Sequence, residues 1–207
     1  DEATQRYEAA RDCIAENINA NTRNEVIWTS GTTESINVIA NGLAQLLSPA
    51  DEVLVTEMEH HANLVTWQQA CQRSGATLII APINDDGELI LEAYQSLLSA
   101  KTKLVAFPHV SNALGTVNPV KWLTEKAKAV DAWVLVDGAQ GIAHGLIDVQ
   151  NLNCDFYVFS GHKLFGPTGI GVLWGRESLL RDWPVWQVGG EMISEVSYQN
   201  AKWNVLP

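Results

Sequence analysis

The sequence predicts an α/β fold, a three-layer α/β/α sandwich built on a mainly parallel seven-stranded sheet. Three observations predict it. Short β-branched and aromatic runs alternate along the chain with stretches of helical periodicity. Most of those runs are apolar throughout, as strands covered on both faces are. Each is followed by a small or polar turn rather than by a tight hairpin to the next strand.

The chain opens in a helix, with Ala3, Tyr7, Ala10, Ile14 and Ile18 at three- to four-residue spacing marking its expected inner face. Residues 25–29 form a short strand, after which Ser30-Gly31-Thr32-Thr33-Glu34 opens a helical pattern through Leu47. A turn at residues 48–51 leads to a strand over Glu52 to Thr56, the polar cluster Glu57-Met58-Glu59-His60-His61, and a helix carrying Trp67 and Ala70 to Gly75. Thr77 to Ala81 is the next strand, Asn84-Asp85-Asp86-Gly87 a strong turn signal, and Glu88 to Ser99 a helix. Leu104 to His109 is a strand opening into residues 110–116, and Asn118-Pro119 starts the following helix, where proline is tolerated in the first turn. Trp133 to Asp137 is an apolar strand broken at Gly138-Ala139-Gln140-Gly141; Asp155 to Phe159 and Gly169 to Trp174 complete the seven.

The composition fits one large domain over residues 1–207, with 46% hydrophobic residues and eight Trp, enough to bury roughly 70% of the unfolded surface. Thirteen basic against 24 acidic residues give a net charge of -11, which opposes affinity for nucleic acid or an anionic membrane. Cys13, Cys71 and Cys154 are odd in number and far apart, so neither a disulfide framework nor a metal site is expected, and a reducing, cytoplasmic setting is. No apolar run approaches the ~20 residues of a membrane span. Both ends read as cut: the chain begins in helical text without Met and ends at Trp203-Asn204-Val205-Leu206-Pro207 with no element closing the fold.

In sheets of this kind ligands bind beyond the carboxyl ends of the strands. That rule selects Ser30 to Thr33, His60 and His61, Ser111 and Asn112, Asp137 to Gln140, and Ser160 to Lys163, which are expected to converge on one crevice. Gly31-Thr32-Thr33 taken alone reads first as a threonine cap with Glu34 in the first turn, and it also offers amides, hydroxyls and a helix N-terminus suited to a phosphate, a reading that needs support from elsewhere in the chain. Neither GxxxxGK[ST] nor GxGxxG occurs at this turn, which disfavours an ordinary nucleotide fold. Asp137 ends an apolar strand, where a carboxylate needs a cation or hydrogen-bond donors; a strand-end cap is the plain alternative. Lys163 lies in the glycine-flanked turn Ser160-Gly161-His162-Lys163, and is either solvated or positioned. A phosphate cradle, a carboxylate for a pyridine nitrogen and a lysine able to form an imine are together the requirements of pyridoxal phosphate.

Five ordered motifs then carry a family resemblance across nearly the whole chain: Thr29-Ser30-Gly31-Thr32-Thr33-Glu34-Ser35-Ile36-Asn37, Glu59-His60-His61-Ala62-Asn63, His109-Val110-Ser111-Asn112, Val136-Asp137-Gly138-Ala139-Gln140, and Ser160-Gly161-His162-Lys163 with the glycine-rich run to Gly171. The chain resembles the large domain of fold-type I pyridoxal-phosphate enzymes of the class V aminotransferase group. Within that group it is most similar to the cysteine desulfurases related to selenocysteine lyase. The resemblance implies that Lys163 forms the imine, Asp137 partners the pyridine nitrogen, His60 stacks on the ring and moves protons, and Gln140 bonds the phenolic oxygen. It further implies that Thr32, Thr33, Ser160 and His162 hold the phosphate and that Asn112 faces the phenolic oxygen or the substrate carboxylate. An imine lysine attacks as the free amine, and a charged His162 beside it would favour that form. His61, His109 and His144 read as surface or supporting residues.

By the same resemblance the parent would be a homodimer acting on a small amino acid, removing sulfur from L-cysteine to leave L-alanine and passing it to an acceptor protein, as in iron–sulfur cluster assembly. The family's nucleophilic cysteine and carboxylate-binding arginine belong to a C-terminal small domain, expected beyond Pro207, and none of the three cysteines here lies in a matching motif. The isolated chain is therefore expected to bind the cofactor with little or no desulfurase turnover. Other class V activities (selenocysteine lyase, a kynureninase-like hydrolase, an epimerase) share these motifs, and a non-catalytic scaffold that keeps the fold is the alternative of a different kind.

Overall fold

In a computed structural model, described for residues 1–190 and 192–204, the sheet has the order β1-β7-β6-β5-β4-β2-β3. Its strands are β1 (Val26–Thr29), β2 (Glu52–Thr56), β3 (Thr77–Ala81), β4 (Thr102–Pro108), β5 (Trp133–Asp137), β6 (Phe156–Ser160) and β7 (Gly171–Gly175). Strands β2 to β6 pair in parallel, while β7 is antiparallel to both β6 and β1. Six strands therefore point one way and β7 alone points back.

The period-two alternation of side chains divides the core into two layers. Val53 and Val55, Leu104 and Ala106, Leu135, Phe156 and Val158, and Leu173 face one layer, with helices α2 (Thr32–Leu43), α3 (His61–Ser74) and α7 (Glu177–Leu180) covering them. Leu54, Val105 and Phe107, Val134 and Val136, Tyr157 and Phe159, and Val172 and Trp174 face the other, under α1 (Glu2–Asn17), α4 (Leu91–Leu97), α5 (Val120–Lys128) and α6 (Val149–Leu152). Each fully buried Val, Leu or Phe contributes on the order of 1.5–3 kcal/mol, so both faces must be apolar, which is why the strands read as unbroken hydrophobic runs.

Three expectations change. In α1 the buried residues are Arg11 and Ala15, followed by Ile18, whereas Ala3, Tyr7 and Ala10 are exposed. Arg11 takes the inward place because its guanidinium donates to the carbonyls of Val26 (3.0 Å) and Arg23 (2.9 Å) and pairs with Glu8 at 3.1 Å, so its charge is satisfied on the way in. Helix α4 starts at Leu91 rather than Glu88, because the turn at residues 84–87 folds Leu89 back into a bridge with Ile83. A separate two-stranded antiparallel sheet, β8 (Ile193–Val196) with β9 (Ala201–Trp203), occupies the end that was expected to lack an element; of the closing stretch, residues 205–207 lie outside the described residues.

Candidate functional site

The strand order turns back between β2 and β4: the chain adds β3 on one side of β2, then crosses to build β4, β5 and β6 on the other. A crevice opens at the carboxyl ends there. It holds a cavity of about 500 Å³ lined by Thr32, Thr33, His60, Asn112, Asp137, Gln140, Ser160, His162 and Lys163, with Ala62, Pro108, Val110 and Ala139. All nine residues singled out in the sequence are thus in one place. Ser30, His61 and Ser111, selected by the same rule, do not line it: Ser30 binds Glu34, His61 begins α3, and buried Ser111 closes its own loop by taking the Leu114 amide at 3.2 Å.

Asp137 is 5% exposed, with Oδ1 accepting the Ala139 amide at 2.9 Å; among the described residues Oδ2 has no hydrogen-bond partner. Burial pushes its carboxyl up, while the Ala139 amide and then the charges of His60 and Lys163 favour the ionised form. The turn after it is held from beneath. A Cβ at Gly138 would lie 2.0 Å from the Tyr157 ring and one at Gly141 2.8 Å from the His109 ring, so only glycine lets the backbone settle on that pair. His109 Nδ1 and the Tyr157 hydroxyl share a hydrogen bond of 2.9 Å, which gives His109 a supporting role.

Helix α2 begins at Gly31, which has no capping side chain. Ser160 serves instead: its Oγ accepts the Thr32 amide at 2.9 Å and lies 2.8 Å from Thr32 Oγ1. The threonine cap expected at this turn does not form, because the N-cap position falls to Gly31; only its Glu34 part is realised, that side chain reaching back to the Ser30 amide at 2.5 Å. Helix α3 is capped by His60, whose Nδ1 accepts the Ala62 amide at 3.2 Å. A neutral imidazole held so carries its proton at Nε2.

Lys163 stands in a short 3₁₀ turn, Gly161–Leu164, directly after β6. It is exposed. Among the described residues, the side chains of Thr33, Asn112, Gln140, His162 and Lys163 make no hydrogen bond or ion pair with the rest of the chain. A buried aspartate that lines the cavity with one carboxylate oxygen unpartnered, and a ring of unengaged donors, fit a compact ligand bearing a protonated nitrogen, an oxyanion and a phosphate. The donor set suits pyridoxal phosphate.

The three thiols are elsewhere. Cys13 is exposed on α1; burial raises Cys71 to about 11 and Cys154 to about 12, which leaves both as inert thiols. No group of three or more metal-ligating side chains exists among the described residues, and none of their helices is long and apolar enough to cross a membrane.

The whole chain, residues 1–207, matches the profile of the family Aminotransferase class-V. It is 52% identical to a cysteine desulfurase of Serratia proteamaculans over 197 residues, 95% of this chain and 48% of that protein. It is also 52% identical to one from Enterobacter sp. over 210 residues, 98% of this chain and 52% of that protein. The crystal structure of a cysteine desulfurase from Escherichia coli superposes with a TM-score of 0.95 at 41% identity, covering 99% of this chain and 51% of that one. The chain spans about half the length of these relatives.

Proposed function

This chain belongs to the class-V aminotransferase family, and on that premise we propose that residues 1–207 are the cofactor-binding domain of a pyridoxal-phosphate-dependent cysteine desulfurase, which takes sulfur from L-cysteine and leaves L-alanine. The observation that carries the reading is the convergence of Lys163, Asp137 and His60 on one cavity with otherwise unengaged donors around it. When bound, pyridoxal phosphate supplies an aldehyde for covalent attachment and a ring that accepts electrons from the substrate.

The chain's own residues divide the work. Lys163, whose side chain makes no hydrogen bond or ion pair among the described residues, is the point of attachment. Asp137 would hold a protonated ring nitrogen, whose positive charge would offset the cost of burying the carboxylate. Thr32, Thr33, Ser160 and His162 hold the phosphate at the α2 N-terminus, where the helix dipole adds to their hydrogen bonds. Gln140 and Asn112 present amide donors to the phenolic oxygen and the substrate carboxylate. His60, with Nδ1 occupied by the Ala62 amide, gives or takes its proton at Nε2.

The relatives' name, cysteine desulfurase, supports an amino acid as the substrate class; a homodimeric assembly and transfer of sulfur to an acceptor protein belong to the same proposal. Leu146 (97% exposed) and Phe165 (92% exposed), on the loops that follow the Gly138 to Gly141 and Lys163 turns, support a second subunit at this edge. Unpaired Cys13, Cys71 and Cys154 support a reducing, cytoplasmic location.

Adding pyridoxal phosphate to the chain should produce an absorbance band at the edge of the visible range that is abolished in Lys163→Ala. Unchanged spectra in the two proteins would reject the assignment of Lys163. Alanine release from cysteine, assayed on a polypeptide as long as the relatives, tests the reaction.

A further inference from the structure

Beneath His60 runs a buried polar chain to which none of these roles assigns a task. Trp67, fully buried on α3, donates its Nε1–H to Asn63 Oδ1 at 2.8 Å. Asn63 Nδ2 donates to Glu59 Oε2 at 2.6 Å, and Glu59 Oε1 accepts the Thr56 hydroxyl at 2.5 Å and the Thr56 amide at 3.2 Å. The direction of this relay has no freedom. An indole N–H only donates, so Asn63 must turn its oxygen to Trp67 and its amide hydrogens to Glu59, and Glu59 Oε2 must accept.

Both ends of the relay are fastened, Thr56 as the last residue of β2 and Trp67 within α3. Between them lies the bend of residues 57–60 that carries His60. Asn63 acts twice there: its side chain is the middle of the relay, and its backbone amide donates to the His60 carbonyl at 2.8 Å. His60 is exposed, and the hydrogen bond on its imidazole comes from the Ala62 amide, one residue before Asn63. Whatever fixes the first turn of α3 therefore fixes which imidazole nitrogen accepts. A buried polar relay is worth keeping only when every member is satisfied in one geometry, and this one has a single geometry.

We propose that Glu59, Asn63 and Trp67 are positioning residues which lock the first turn of α3 to the end of β2, and so hold His60 over the cavity as its Nε2–H tautomer. The proposal rests on reading His60 as the residue that handles the proton. It adds that three residues which need not touch the cofactor decide which nitrogen does so.

The test is the His60 tautomer, measured by ¹⁵N NMR of the imidazole in the full chain without added cofactor. Trp67→Phe keeps an aromatic ring in the core while removing the indole donor and part of the indole's volume, which leaves Asn63 Oδ1 without its partner. Cys71→Ala, a buried change on the same helix outside the relay, is the comparison. The wild type should be predominantly Nε2–H. Trp67→Phe should move the tautomer ratio toward Nδ1–H by roughly fivefold, the worth of one ordinary hydrogen bond, and Cys71→Ala should leave it in place despite its own loss of stability. An unmoved ratio in Trp67→Phe, or an equal shift in Cys71→Ala, overturns the proposal. If Trp67→Phe does not fold, Thr56→Val removes the hydroxyl at the other end of the relay, leaving the backbone amide bond, and is read the same way. Failure of the wild-type chain to bind pyridoxal phosphate would reject the proposed function and leave the tautomer result standing, so the two can fail separately.

Discussion

Two helices present their N-termini to the same cavity, and they are finished in opposite ways. Helix α2 starts at a glycine and borrows its acceptor from Ser160, 128 positions later in the chain. Helix α3 supplies its own cap, His60, braced by partners that all fall between Thr56 and Trp67. One wall of the site is therefore written into a single short segment; the other exists only once β6 has taken its place in the sheet.

The sharpest way to break that contrast is on the borrowed side. Ser160→Ala leaves the Thr32 amide and hydroxyl buried without their partner, and should destabilise the protein by about 2–3 kcal/mol. Pyridoxal phosphate affinity should fall with it, while the Lys163-dependent absorbance band still forms at high cofactor concentration. Urea denaturation and a cofactor titration read the two effects.

On the local side, burial raises the Glu59 carboxyl from its ordinary 4.5 to about 8, against the lowering effect of Thr56 and Asn63. A carboxyl raised on folding contributes most below its unfolded value and loses that contribution as pH climbs through the folded one. The wild type should accordingly lose part of its stability between about pH 4.5 and about pH 8. Glu59→Gln should show a flatter curve over the same range. It should also be less stable at low pH by about 1–2 kcal/mol, because its amide hydrogens meet a donor at Asn63 or at the Thr56 amide. Urea midpoints measured across that pH range decide it.

The smallest effect separates the local part of the α2 cap from its borrowed part. Glu34 is held below its ordinary value by the Ser30 amide. Glu34→Gln should cost less than about 1 kcal/mol at neutral pH, and the difference from wild type should vanish as pH falls through the lowered value. A loss as large as that of Ser160→Ala would mean that α2 is finished locally after all.

The same contrast explains what could be read in advance. Apolar runs such as residues 133–137 and the polar text after them place a strand and its end without reference to the rest of the chain, and the strand-end rule then brought nine scattered residues to one cavity. The relay under His60 was within reach, because Asn63 and Trp67 stand four residues apart on one face of α3 and Glu59 lies four residues before them, just ahead of the helix; its residues read as motif and core rather than as a hydrogen-bonded set. The Ser160 to Thr32 bond had no local signal at all. Arg11 misled for a related reason: an arginine on a helix reads as solvated unless the carbonyls that receive it, here those of Val26 and Arg23, are known to be near.

Strand β7, the one that runs backward, has a consequence for Lys163. Other residues of the crevice sit on connections that leave the sheet for a helix, and can drift as that helix drifts. The lysine loop leaves from Ser160 and re-enters at Gly171, its direct partner across the ladder, with the Gly161 amide donating to the Ile170 carbonyl at 2.8 Å. It is a hairpin tip with both feet in the sheet. A pull on the Lys163 amine is passed to two adjacent interior strands, β6 and β7, so the reach of that amine is set by the sheet itself rather than by a helix packed on it.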